Sequence, residues 1–152
     1  MAEPVKEHAV TRRGGSGEGT DGTAMTGPPV VLSVPADKTY VALVRSAASH
    51  LGARLGLTMQ ELTDLRLAVD EACGLLLLPG EFATTGAELL CRFEEYPDRL
   101  VVTVSAEADE SAPDIDGFGW NVLDALVDEL RWSYQDGRAQ VELVKRPAIA
   151  ER

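Results

Sequence analysis

TMQELTDLRLAVDEACGLLLLPG, residues 58–80, carries the clearest helical pattern in the chain. Leu62, Leu65, Val69, Ala72/Cys73 and Leu76 recur at intervals of about three to four residues, the spacing that lines one face of an α-helix. Thr58 and Glu61 form the T-x-x-E pattern of a capping box, in which each residue satisfies a backbone N–H left open at a helix start. Pro79 and Gly80 end the helix near Leu78. The opposite face is polar and carries adjacent carboxylates, Asp70 and Glu71.

Upstream, Val30–Val34 reads as a strand closed by Pro35, and Val41, Val44, Ala48, Leu51 and Leu55 give the inward stripe of a preceding helix. Gly52 and Gly56 weaken its last turns, and Gly56 suits its closure. Residues 1–29 are rich in Gly, Thr, Glu and Pro without apolar periodicity, the composition of a disordered arm. Met25 offers a second start that deletes most of this arm. Downstream, Ala87–Glu94 and Arg99–Ala106 read as a hairpin about Tyr96-Pro97-Asp98. An acidic loop, 107–116, leads to a helix from about Gly119 to Leu130. Arg131–Tyr134 and Arg138–Lys145 then flank the turn pair Asp136-Gly137. The order β-α-α-β-β-α-β-β predicts an α+β two-layer sandwich, a mixed, mostly antiparallel sheet covered on one face by helices. The domain spans 30–147, with a C-terminal tail at 148–152.

Among 152 residues there are 14 Lys+Arg against 25 Asp+Glu, for a net charge of -11. Such a surface repels phosphate backbones and speaks against direct nucleic-acid binding. It suits either a basic protein partner or simple solubility. No apolar run approaches the roughly 20 residues of a membrane span, and no secretory leader is evident, so a cytoplasmic protein with Cys73 and Cys91 reduced is expected. No phosphate-cradling glycine loop of the P-loop or dinucleotide type is present. With His8 and His50 the only histidines, neither a Ser-His-Asp site nor a metal centre has its raw material.

Residues 58–80 resemble the signature helix of the RsbW-type anti-sigma factors, serine protein kinases in the superfamily of histidine kinases, gyrase and Hsp90. Glu61, Leu62, Leu65, Arg66, Ala68, Val69, Glu71 and Ala72 match that family's pattern. GFGWNVLDALVDEL, 117–130, resembles its glycine box, and DGRAQVELVKR, 136–146, its closing strand. The resemblance covers about residues 30–146 and implies a histidine-kinase-like ATPase fold.

It also implies roles. Glu71 stands where the family has its general base, and Gly117 and Gly119 where it has a nucleotide box. The asparagine that holds Mg²⁺ is replaced by Leu75, a nearby histidine by Pro79, and the aspartate that reads adenine by Ala106. The loop between Ala106 and Gly117 is far shorter than the family's lid. Glu71 therefore reads as a vestigial base or an ordinary helix carboxylate, and no cofactor is expected. The resemblance implies that the first helix faces the partner, with Arg45 as anchor and Val41 beside it. Arg45 also reads as an ordinary exposed helix arginine. The expected function is a non-enzymatic anti-sigma factor that sequesters an alternative RNA polymerase sigma factor, yields it to a STAS-domain anti-anti-sigma factor, and acts as a homodimer. The alternative is an active kinase that uses ATP and Mg²⁺ to phosphorylate a STAS-domain serine.

Overall fold

The structure, a computed structural model, describes residues 24–77, 87–108 and 117–148 together with the backbone of 6–11. The strands are β1 (Lys6–Thr11), β2 (Val30–Pro35), β3 (Glu88–Tyr96), β4 (Arg99–Glu107), β5 (Glu129–Gln135) and β6 (Arg138–Lys145). The helices are α1 (Val41–Leu55), α2 (Met59–Leu76) and α3 (Phe118–Leu126). The strands form one sheet in the order β1-β5-β6-β4-β3-β2, and every pairing is antiparallel.

Strand alternation sorts side chains to two faces. Leu89, Cys91 and Phe93 of β3 lie opposite Ala106, Val104 and Val102 of β4. The same row continues through Ala139, Val141 and Leu143 of β6 to Tyr134, Trp132 and Leu130 of β5. These residues form one core with Val44, Ala48, Leu65, Ala68, Val69 and Ala72 from α1 and α2, and with Trp120 and Leu123 from α3. The outer face carries Arg92, Thr103, Glu142 and Arg131. The two-layer α+β architecture expected from the sequence is therefore present.

The ends of the helices follow local chemistry. Thr58 caps α2 as a complete capping box: Glu61 N–H donates to Thr58 Oγ1 at 3.1 Å, and Thr58 N–H to Glu61 Oε1 at 2.8 Å. Gly56 closes α1 with φ +97°, a left-handed conformation open mainly to glycine. Asp136 and Gly137 both take positive φ at the β5–β6 turn, as a two-residue hairpin demands.

Two expectations need correction. Lys6–Thr11 lies in the arm expected to be disordered, yet it pairs with β5 from Lys6↔Tyr134 to Thr11↔Glu129. The cause is the sheet rather than the segment: β5 has a row of open backbone groups along its outer edge, and an added strand satisfies them with little regard to side chains. The third helix stops at Leu126 instead of Leu130. Its last carbonyl, Leu126 O, accepts from Lys145 Nζ at 2.8 Å, and Asp128 N–H donates to Val144 O at 2.9 Å, drawing the chain into the sheet. Leu130 is buried as expected, but from β5, where Leu130, Trp132 and Tyr134 alternate inward. Ala148, assigned to the C-terminal tail, donates its N–H to Glu61 Oε2 at 2.6 Å and so is tied to the start of α2.

Candidate functional site

The second half of α2 faces the N-terminus of α3. Glu71 and Leu75 lie one helical turn apart and so share a side of α2. Gly117 is the N-cap of α3 and offers no side-chain cap. The first intrahelical bond of α3 runs from Asn121 N–H to Gly117 O, so the preceding amides have no acceptor within the helix. Gly119 rests directly on α2. A Cβ there would meet Glu71 Oε2 at 2.7 Å and Leu75 Cδ2 at 3.3 Å. The absence of a side chain at 119 is what lets these two helices approach. Phe118, beside it, is 82% exposed.

Glu71, Leu75 and Gly119, singled out in the sequence, thus come together, with Gly117 at the same helix end. Ala106 lies apart from solvent near the end of β4, 2% exposed, between Leu89 and Ala139. Pro79 and residues 109–116 lie outside the described residues. Leu75 and Ala106 are apolar, and the Leu75 side chain lies against the backbone of Gly119. Among the described residues no cluster of His, Cys, Asp and Glu suits a metal ion. Neither the Leu75 nor the Ala106 side chain carries an oxygen atom.

Arg45 projects from α1 toward α2, where its Nη1 donates to Asp70 Oδ1 at 2.6 Å. The sequence reading missed this partner: no periodic pattern links positions in different helices. Val41 is not a surface residue. It is 5% exposed within the core, because it heads the inward stripe that continues through Val44 and Ala48. The resemblance implies a partner surface for Val41, whereas packing puts its side chain in the core. Cys73 and Cys91 are buried free thiols. Their mutual hydrogen bond, with burial, pushes the Cys73 thiol far up, so it stays protonated.

A groove of about 430 Å³ lies elsewhere, where Leu51, Arg54 and Leu55 meet Glu95, Tyr96 and Arg99. Arg54 pairs with Glu95 at 3.1 Å, and Arg99 stacks on the Tyr96 ring at 3.8 Å. The groove shares no residue with the Glu71 cluster.

Comparison with known proteins matches the pattern of the histidine kinase-like ATPase domain to residues 34–145. The serine-protein kinase RsbW of Bacillus subtilis is 35% identical over 80 residues, covering 53% of this chain and 50% of that protein. The anti-sigma-F factor RsbW of Mycobacterium tuberculosis is 36% identical over 110 residues, covering 72% of this chain and 63% of that one. The chain thus spans about half of the first relative and less than two thirds of the second. The crystal structure of the RsbU and RsbW domains of a Mycobacterium tuberculosis protein superposes with a TM-score of 0.60 at 18% identity, over 83% of this chain and 34% of that one. That likeness speaks to the fold. A match reaching from β2 to β6 decides the matter: this chain belongs to the histidine kinase-like ATPase domain family and is of the RsbW type.

Proposed function

We propose that this chain is an anti-sigma factor that binds and sequesters an alternative RNA polymerase sigma factor, and that a STAS-domain anti-anti-sigma factor releases it by competition. The observation that carries the reading is the α2–α3 junction. The family scaffold is kept to the point of contact between Gly119 and Glu71, while the adjacent position that needs a metal ligand is Leu75. A hydrogen bond to a charged group contributes about 1.5–3 kcal/mol. Loss of the α2 oxygen ligand and of the adenine-reading carboxylate therefore lowers nucleotide affinity by orders of magnitude, and phosphoryl transfer rests mainly on such positioning and metal electrostatics. What remains is a binding surface, with Arg45 as its anchor, in a homodimer working in the cytoplasm beside RNA polymerase.

Co-purification tests the reading. The tagged chain is expected to co-elute with a sigma factor of its own organism, and a STAS-domain protein to displace that sigma factor without ATP. Failure to retain any sigma factor sinks the proposal. Light scattering of the free chain checks the dimer.

One observation favours the kinase alternative: Glu71 is retained and half-buried beside α3. That reading requires saturable binding of Mg-ATP and transfer of phosphate to a STAS-domain serine. Calorimetry is expected to give no heat of binding with millimolar Mg-ATP; a saturable isotherm would restore the kinase and displace the pure binding role.

A further inference from the structure

Arg45 is the proposed anchor, a guanidinium whose natural counterpart on a partner is a carboxylate, and in the free chain it already grips one. Asp70 Oδ1 lies 2.6 Å from Arg45 Nη1, joining α1 to α2. The Arg45 side chain is 34% exposed and that of Asp70 49%, so an incoming carboxylate has access to the guanidinium from solvent. Arg45 has no second hydrogen-bonded acid among the described residues. A guanidinium presents five donors in a planar fork, and one of its nitrogens is spent here on an internal acceptor.

We propose that Asp70 is an internal competitor for Arg45, a latch that the sigma factor opens by exchanging one Arg45–carboxylate pair for another. The proposal rests on the reading of Arg45 as a partner contact. The physics sets its size. An exposed pair of this kind is worth about 0–1 kcal/mol, so the exchange returns little Coulomb energy and lowers the affinity by the strength of the pair broken. The latch sits next to Glu71 in sequence, so the partner-facing anchor on α1 is tied to the same stretch of α2 that faces α3. The device thus keeps the Arg45 anchor from binding acidic groups indiscriminately and trades affinity for selectivity.

Two simpler roles for Asp70 predict different numbers. If it orients Arg45 for the partner, removing its charge weakens binding. If it only repels an acidic partner, removing its charge tightens binding whether or not Arg45 is present. The experiment is a double-mutant cycle in the full-length chain, titrating the sigma factor that co-elutes with the wild type. D70N is expected to tighten binding about two- to fivefold, and R45Q to weaken it about tenfold. In the R45Q background, D70N is expected to change nothing. Equal or weaker binding by D70N overturns the latch, as does tightening by D70N that persists in R45Q. Sigma-factor binding by the wild type that R45Q leaves untouched overturns the latch alone. If wild type and D70N both retain no sigma factor, the anti-sigma reading falls and the latch with it. Circular dichroism of each variant confirms that these surface substitutions leave the fold intact.

Discussion

Glu61 serves two ends of the chain with one carboxylate. Oε1 accepts the Thr58 N–H at 2.8 Å and Oε2 the Ala148 N–H at 2.6 Å. Burial pushes its pKa upward, but the Thr58 and Ala148 amides, the Thr58 hydroxyl and the Lys145 charge together outweigh burial and hold it below the ordinary value of 4.5. A carboxyl depressed in the folded state contributes its stability in full above the unfolded pKa and loses it as pH falls through the folded one. Urea midpoints are therefore expected to fall for the wild type from about pH 4.5 downward, and to fall less for Glu61→Gln, which keeps a capping acceptor but cannot ionise. Identical acid limbs for the two would remove Glu61 from the account. Residues also show where a sequence can be read and where it cannot. The pairing of Glu71 with Leu75 follows from helical spacing alone. The Arg45–Asp70 pair spans 25 positions and has no periodic signature. Val41 was given a partner role by resemblance while its own inward stripe placed it in the core, and the stripe was right because burial of an apolar side chain outweighs positional likeness.

The elements were legible wherever an apolar period ran unbroken, as in α1, α2 and the β3–β4 hairpin. They were not legible where tertiary bonds override local pattern. α3 gives way to β5 because Lys145, 8% exposed, crosses from β6 to Leu126 O at 2.8 Å and lies 3.9 Å from Asp64 of α2. Lys145→Met removes the donor and strands that carbonyl, at a cost of about 1–3 kcal/mol. Urea denaturation gives the magnitude, and faster amide exchange at the end of α3 gives the place; unchanged stability would show that water replaces the ammonium. The α1–α2 contact makes a separate demand. A Cβ on Gly52 would stand 2.9 Å from Leu62 Cδ2 and 3.0 Å from both Leu57 Cδ1 and Leu65 Cδ2. Gly52, which in sequence reads as a weak point of α1, is what lets α1 lie close on α2. Gly52→Val overpacks this seam and is expected to destabilise by about 1–3 kcal/mol, read as a lower thermal midpoint, although valine is the better helix former. A rise in the midpoint would show that helix propensity, not packing, governs the position.

At the scale of the whole molecule, the sheet divides the described residues into unlike surfaces: α1, α2 and α3 on one face and mixed charges such as Arg92, Arg131 and Glu142 on the other. No helix among the described residues is long and apolar enough to cross a membrane. The net charge of -11 belongs to the entire surface, so its test is kinetic rather than structural. A field of that sign draws a basic partner from a distance and speeds encounter about 10-fold or more at low salt, while bonds made at short range govern departure. The Debye length shrinks from about 30 Å at 0.01 M to about 10 Å at 0.1 M salt, which removes long-range attraction but weakens contacts made at short range much less. The association rate with the proposed sigma-factor partner is therefore expected to fall steeply over this range, with the dissociation rate changing much less. Stopped-flow or surface-based kinetics at graded salt separate the two rates. An association rate that is flat in salt would assign the acidity to solubility alone and leave binding to local contacts.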